Sequence, residues 1–124
     1  MVEDRQSVLV VDDDGDMRSL LLDGLWSAGY VLREAGDGEG AVQSVRRAVP
    51  DVIITEIRLS SGGIDYLNRL RVVAPRCPII VMTAFGDAKV KGDVLRAGAT
   101  AYFSKPLHLA ELMVCVKQLL GPDG

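Results

Sequence analysis

Histidine and tryptophan each occur once in this sequence, at His108 and Trp26, and cysteine only twice. A lone histidine excludes a metal centre built on a histidine cluster, and in "KPLHLAEL" it reads as a residue at the start of a helix. Cys77 and Cys115 stand far apart without CxxC or Cys/His spacing. That spacing indicates neither a zinc site nor a disulfide framework, and both read as reduced residues packed as small apolar groups. Trp26 falls on the first helical pattern beside Leu25 and is expected to pack there. Long apolar runs are also missing. The first, "SVLVV", is stopped by three aspartates, the pattern of neither a signal peptide nor a membrane span, so a cytoplasmic location and no membrane partner are expected. Positive charge is neither abundant nor gathered: 14 Lys and Arg against 17 Asp and Glu, a net of -3, are spread over several segments. Direct nucleic-acid binding by this chain is therefore not expected. With 124 residues, 48% hydrophobic and 25% charged, the composition fits one globular domain over 1–124 with a single core.

What is present is alternation. "SVLVV" (7–11) is a β-branched, continuously apolar run, the pattern of a strand covered on both faces. Met17, Leu20, Leu21, Gly24 and Leu25 then recur at the spacing of one helix face, with Gly29 as a stop. The pattern repeats through strands "YVLREA", "DVIIT", "PIIVMTA" and "TAYFS" and helices "EGAVQSVRRAV", "IDYLNRLRVVA", "DAKVKGDVLRA" and "LAELMVCVKQLL". Five strands alternating with five helical patterns predict an α/β fold, a parallel sheet with helices on both faces joined by right-handed crossovers. Gly92 inside the fourth helical pattern costs about 1 kcal/mol relative to Ala, which predicts a marginal helix there.

In such sheets ligands sit beyond the carboxyl ends of the strands. Strand one ends in Asp12, Asp13 and Asp14, strand three in Glu56, strand four in Thr83 and Ala84, and strand five in Ser104 and Lys105. Converging carboxylates repel unless a cation lies among them, so Asp12, Asp13 and Glu56 point to a hard, oxygen-liganded metal such as Mg²⁺. A hydroxyl and an ammonium opposite suit a phosphoryl group on that metal. Asp14 or Asp16 is instead expected to cap the first helix. Lys105 precedes Pro106, which keeps it on an extended segment.

These residues resemble the receiver domains of two-component response regulators. "VLVVDDDGDMR" is similar to that family's first strand and acidic pair, "VMTAFGDA" to its fourth strand with the switch Thr and Ala, and "GATAYFSKPLHLAEL" to its fifth strand, Lys-Pro and last helix. The resemblance covers residues of about 6–120. It implies a flavodoxin-like sheet of order 2-1-3-4-5 and a non-enzymatic signalling domain. It also implies that Asp13 binds Mg²⁺ directly and Asp12 mainly through water, with Glu56 and the Arg58 carbonyl completing the site. Thr83 and Lys105 would contact the phosphoryl group, Ala84 and Tyr102 would belong to the switch, and the Lys105–Pro106 bond would be cis. The partners implied are a sensor histidine kinase or other two-component protein, and an output domain or second copy on the face of the fourth helix, fifth strand and last helix. Val90, Val94 and Tyr102 are the candidates for that surface.

The sequence departs from the family at its centre. The phosphate-accepting aspartate falls on Glu56, and "SSGG" stands where the family has about five residues beginning with Pro and ending in Gly. Glu is one methylene longer, which moves its oxygens roughly 1.5 Å toward Thr83 and Lys105. The leading expectation is a phosphorylation-independent or partly phosphomimetic switch. The alternatives are a conventional Mg²⁺-dependent acceptor at Glu56, and an inert docking module in which Glu56 salt-bridges Lys105. From another class, Asp12, Asp14 and Gly15 follow the D-x-D-G order of haloacid-dehalogenase-type phosphatases, although the late acidic pair of that family is missing.

Overall fold

The apolar, β-branched runs form five strands: β1 (Ser7–Val11), β2 (Val31–Ala35), β3 (Val52–Glu56), β4 (Ile79–Thr83) and β5 (Ala101–Ser104). Between and after them lie α1 (Gly15–Ser27), α2 (Gly38–Arg47), α3 (Gly63–Val73), α4 (Ala88–Arg96) and α5 (Leu109–Leu120). The computed structural model describes residues 5–58, 62–84 and 86–121. Ser60 and Ser61 of the altered loop, and Phe85, lie outside the described residues.

All pairings are parallel, in the order β2-β1-β3-β4-β5, which is the flavodoxin-like arrangement. Alternate residues of each strand point to opposite faces. Leu9, Val11, Ile53, Ile79 and Val81 pack with Val42, Val45, Leu67, Leu70 and Val94 on the side of α2, α3 and α4. Val8, Val10, Val52, Ile54, Ile80 and Met82 pack with Leu21, Leu25, Leu112 and Val116 on the side of α1 and α5. The central strands β3 and β4 are buried throughout, as the unbroken apolar runs require.

Helix phase departs from expectation in two places. Leu21 and Leu25 set the inward direction of α1, and at 100° per residue their neighbours Leu20 and Trp26 turn away from it. Leu20 is 51% exposed and Trp26 69% exposed, so neither packs as expected. On α4, Val94 is fully buried, and Val90 and Tyr102 pack partly against the core, so Val94 cannot form part of a surface. The helix runs unbroken across Gly92. Asp87 caps it through the Val90 N–H at 2.9 Å, and Asp93 pairs with Lys89 at 2.9 Å and Arg96 at 2.6 Å. The cap and two exposed pairs together offset a glycine of this size.

The end of the sheet opposite the carboxyl termini of the strands is stapled by Arg71. Its guanidinium donates to the carbonyls of Ala74 at 3.0 Å, Cys77 at 2.8 Å and Gly98 at 2.6 Å. Gly98 has φ +110°, and a Cβ there would lie 2.9 Å from Arg71 Nε. A charged donor leaving several carbonyls unmatched costs about 2 kcal/mol. Arg71→Met should therefore lower unfolding free energy by about 2 kcal/mol in urea titrations without altering the opposite end of the sheet.

Candidate functional site

Parallel register brings the strand ends level. Val11 pairs with Thr55, Glu56 with Met82, and Thr83 with Ser104. Asp12 just past β1, Glu56 ending β3, Thr83 ending β4 and Lys105 just past β5 are therefore gathered at one crevice. The Lys105 N–H continues the β4–β5 ladder by donating to the Thr83 carbonyl at 3.0 Å. Asp12 is 0%, Thr83 1% and Glu56 4% exposed. Asp13, Ala84, Arg58 and Pro106 are exposed at its rim, and the Lys105–Pro106 bond is cis.

The Lys105 ammonium is the centre. Its Nζ lies 2.8 Å from Asp12 Oδ2 and 2.9 Å from Glu56 Oε1. Asp12 Oδ1 accepts the Asp14 N–H at 2.9 Å. Glu56 Oε2 accepts the N–H groups of Ile57 and Arg58 at 2.8 and 2.9 Å. Burial acts to raise the Glu56 carboxyl, but the Arg58 N–H, the Lys105 ammonium and the Thr83 hydroxyl outweigh it and hold it below its ordinary value of 4.5. Burial likewise acts to lower Lys105, and the hydrogen bonds and charges of Asp12 and Glu56 outweigh it, holding the ammonium above its ordinary 10.5.

Asp14 is the expected cap of α1, its Oδ1 accepting the Asp16 N–H at 2.9 Å and the Met17 N–H at 3.3 Å. Asp14 is engaged as the cap and Asp12, fully buried, by Lys105 and the Asp14 N–H, which speaks against the nucleophile and acid roles of the D-x-D-G order. The donor set around Asp12, Asp13 and Glu56 is all oxygen, the chemistry a hard cation takes. Among the described residues, no three acidic, histidine or cysteine side chains already converge as a metal group. His108 stands at the N-cap position of α5 without a side-chain capping bond. It lines an open groove of about 540 Å³ with Asp87, Lys91, Tyr102 and Glu111. The Tyr102 hydroxyl occupies the space a Cβ at Gly86 would need.

Two supports were not anticipated. Arg18 of α1 donates to the Asp12 carbonyl at 2.6 Å and to Glu34 Oε1 at 3.1 Å. Thr55, beneath the crevice, bonds to the Glu56 carbonyl and to Tyr66, each at 2.8 Å. An arginine one turn into α1 and a hydroxyl inside the apolar run "DVIITE" were the visible signals.

A family model for the response regulator receiver domain matches residues 8–117. The chain belongs to that family. The receiver is 37% identical over 118 residues to transcriptional regulatory protein PrrA of Mycobacterium tuberculosis, covering 94% of this chain and 51% of that protein. To transcriptional regulatory protein ZraR of Escherichia coli it is 31% identical over 122 residues, 98% of this chain and 28% of that protein. The chain thus spans about half or less of the length of these curated relatives. Among solved structures, a two-component response regulator from Clostridium difficile superposes with TM-score 0.89 at 30% identity, covering 94% of this receiver and 96% of that chain. A receiver domain protein from Methanospirillum hungatei gives 0.90 at 22% identity, covering 96% of each chain, a likeness of fold. Receiver domains are signalling modules that generally bind Mg²⁺ at this acidic pocket. No helix among the described residues is long and apolar enough to cross a membrane.

The charged centre contributes to the pH dependence of the fold on both sides of neutrality. Glu56, held low, contributes stability that is present above pH 4.5 and lost as pH falls through its folded value. Lys105, held high, contributes stability that is present below pH 10.5 and lost as pH rises through its folded value. Denaturation midpoints measured against pH should fall on both sides of that window, and Glu56→Gln should blunt the acid limb. Lys105→Met leaves two buried carboxylates without their cation and should cost about 3 kcal/mol or more in urea unfolding, part of which Glu56→Gln recovers in the same background.

Proposed function

We propose that residues 1–124 form a single receiver unit, its core over about 6–120, whose switch is biased by Glu56 without phosphorylation. The observation that carries this reading is the engagement of Lys105 by Glu56 Oε1 at 2.9 Å, with the Thr83 hydroxyl acting on the same carboxylate. These are the two groups that would read a phosphoryl group in a receiver, and here a carboxylate already holds both. The imitation is partial. A carboxylate offers one charge and two oxygens, against about two charges and three oxygens for a phosphate, so the switch is shifted in population rather than locked.

Transfer from a sensor histidine kinase, or another two-component protein, requires in-line attack by the acceptor carboxylate. The longer Glu56 side chain misplaces its oxygens, and misplacement by about 1 Å costs on the order of 10²-fold. Its Oε2 is also folded back onto the Ile57 and Arg58 N–H groups. Asp12 and Asp13 would hold Mg²⁺, with Glu56 and the Arg58 carbonyl as further donors. The bound ion would supply charge neutralisation for an anionic group. Because Lys105 already occupies Asp12 and Glu56, this binding is weak. The Tyr102 ring and Ala84 complete the switch beside Thr83, and Pro106 fixes the turn that carries Lys105. Output passes to an attached domain or a second copy through the face formed by α4, β5 and α5, in a cytoplasmic setting, with no contact to nucleic acid or membrane by this domain.

The test is intact-protein mass after incubation with Mg²⁺ and acetyl phosphate. The wild type should gain no phosphoryl mass while Glu56→Asp does. Modification of the wild type on Glu56 would make it a conventional acceptor, and modification of neither would favour a docking module.

A further inference from the structure

The peptide joining Glu56 to Ile57 is held at both ends. Its carbonyl accepts from Thr55 Oγ1 at 2.8 Å, and its N–H, on Ile57, donates to Glu56 Oε2 at 2.8 Å. Thr55 Oγ1 also lies 2.8 Å from the Tyr66 hydroxyl. A hydroxyl carries one proton, and Thr55 spends it on the Glu56 carbonyl, so the Tyr66 O–H donates to Thr55. Burial pushes the Tyr66 phenol far above its usual range, which keeps it a donor. Tyr66, Thr55 and Glu56 are 0%, 1% and 4% exposed, so water does not compete for these bonds.

The donors and acceptors run the same way in one line, phenol, hydroxyl, peptide carbonyl, peptide N–H, carboxylate, and the Arg58 N–H joins it at Glu56 Oε2. A trans peptide is planar, so fixing the carbonyl fixes the N–H on its other side. A donor at the carbonyl also polarises the peptide and strengthens that N–H, as bonds in a chain do. The line begins on the first turn of α3, whose N-cap, Gly62, supplies no side-chain bond. The same turn is tied to this segment a second time, by the Gly63 N–H donating to the Ile57 carbonyl at 3.1 Å.

We infer that Tyr66 is a positioning residue for the Glu56 carboxylate, acting through Thr55 and the Glu56–Ile57 peptide and joining α3 to the centre of the site. Its functional weight rests on the reading of Glu56 given above. A ligand that draws the carboxylate off the Ile57 N–H relaxes the line and is felt at the first turn of α3. That helix turns Asp65, Asn68 and Val72 to solvent, so the change is carried to a surface outside the face of α4, β5 and α5.

The experiment is residue-resolved amide hydrogen exchange, by NMR, on the whole chain. Tyr66→Phe keeps the ring and removes the hydroxyl. The Ile57 amide should exchange about fivefold faster, the factor that goes with one net hydrogen bond, while the amides of Val52–Thr55 keep their protection. Thr55→Val should give the same selective loss, Thr55→Ser should retain wild-type exchange, and the Tyr66→Phe/Thr55→Val double variant should be no faster at Ile57 than either single. Acceleration spread evenly over β3 would mean that Tyr66 only supports the core, and unchanged exchange at Ile57 would mean that the line carries nothing; either overturns the inference. No phosphoryl chemistry enters this readout, so its failure is distinct from failure of the mass experiment on Glu56→Asp.

Discussion

Two carboxylates buried at the end of a parallel sheet are tolerable only with a cation between them. Transferring an unpaired carboxylate from water into a protein interior costs far more than a domain of this size has in reserve. Lys105 satisfies Asp12 and Glu56 together, at 2.8 and 2.9 Å, and the backbone N–H groups of Asp14, Ile57 and Arg58 take up the remaining charge. The geometry of the crevice depends on this arrangement. Lys105 arrives from the edge strand β5, so the cation reaches its partners only when β5 adds to β4 in the observed register, with Thr83 opposite Ser104. Sheet pairing and site assembly are therefore one event.

The architecture was legible because parallel strands covered on both faces read as unbroken apolar runs, and "SVLVV", "DVIIT" and "PIIVM" all became buried strands. The crevice residues were legible for a related reason: in such a sheet, the first polar residues after each run must lie at the same edge. Helix phase was not. Periodicity names the apolar set but leaves open which members face inward when the set is wide, and Leu20 and Trp26 fell outside the stripe centred on Leu21 and Leu25. Val94 reads as surface because its helix also carries Lys89, Lys91, Asp93 and Arg96, which leaves the inward direction open among Val90, Val94 and Leu95. Arg18 and Thr55 act on backbone carbonyls, and Tyr66 acts through Thr55. A carbonyl has no identity in the sequence, so a side chain that serves one leaves no partner to search for. Thr55, a lone hydroxyl in an apolar strand, was the one mark of the line beneath Glu56.

The two ends of the sheet carry different burdens. At one, Arg71 closes three carbonyls of adjoining loops in a neutral-backbone setting. At the other, paired acids and an ammonium concentrate the charge. The first end contributes fold stability through neutral acceptors, and the second concentrates the charged groups on which the proposed ion binding would act.

Trp26 gives the molecule an unusual blind spot. The indole stands 69% exposed, near the end of a 13-residue helix whose first turn is capped by Asp14 at the crevice. At 1.5 Å per residue it lies about 18 Å along the helix axis from the acids. Being the only tryptophan in the chain, it makes tryptophan emission a report on solvent at the far end of α1 and not on the crevice.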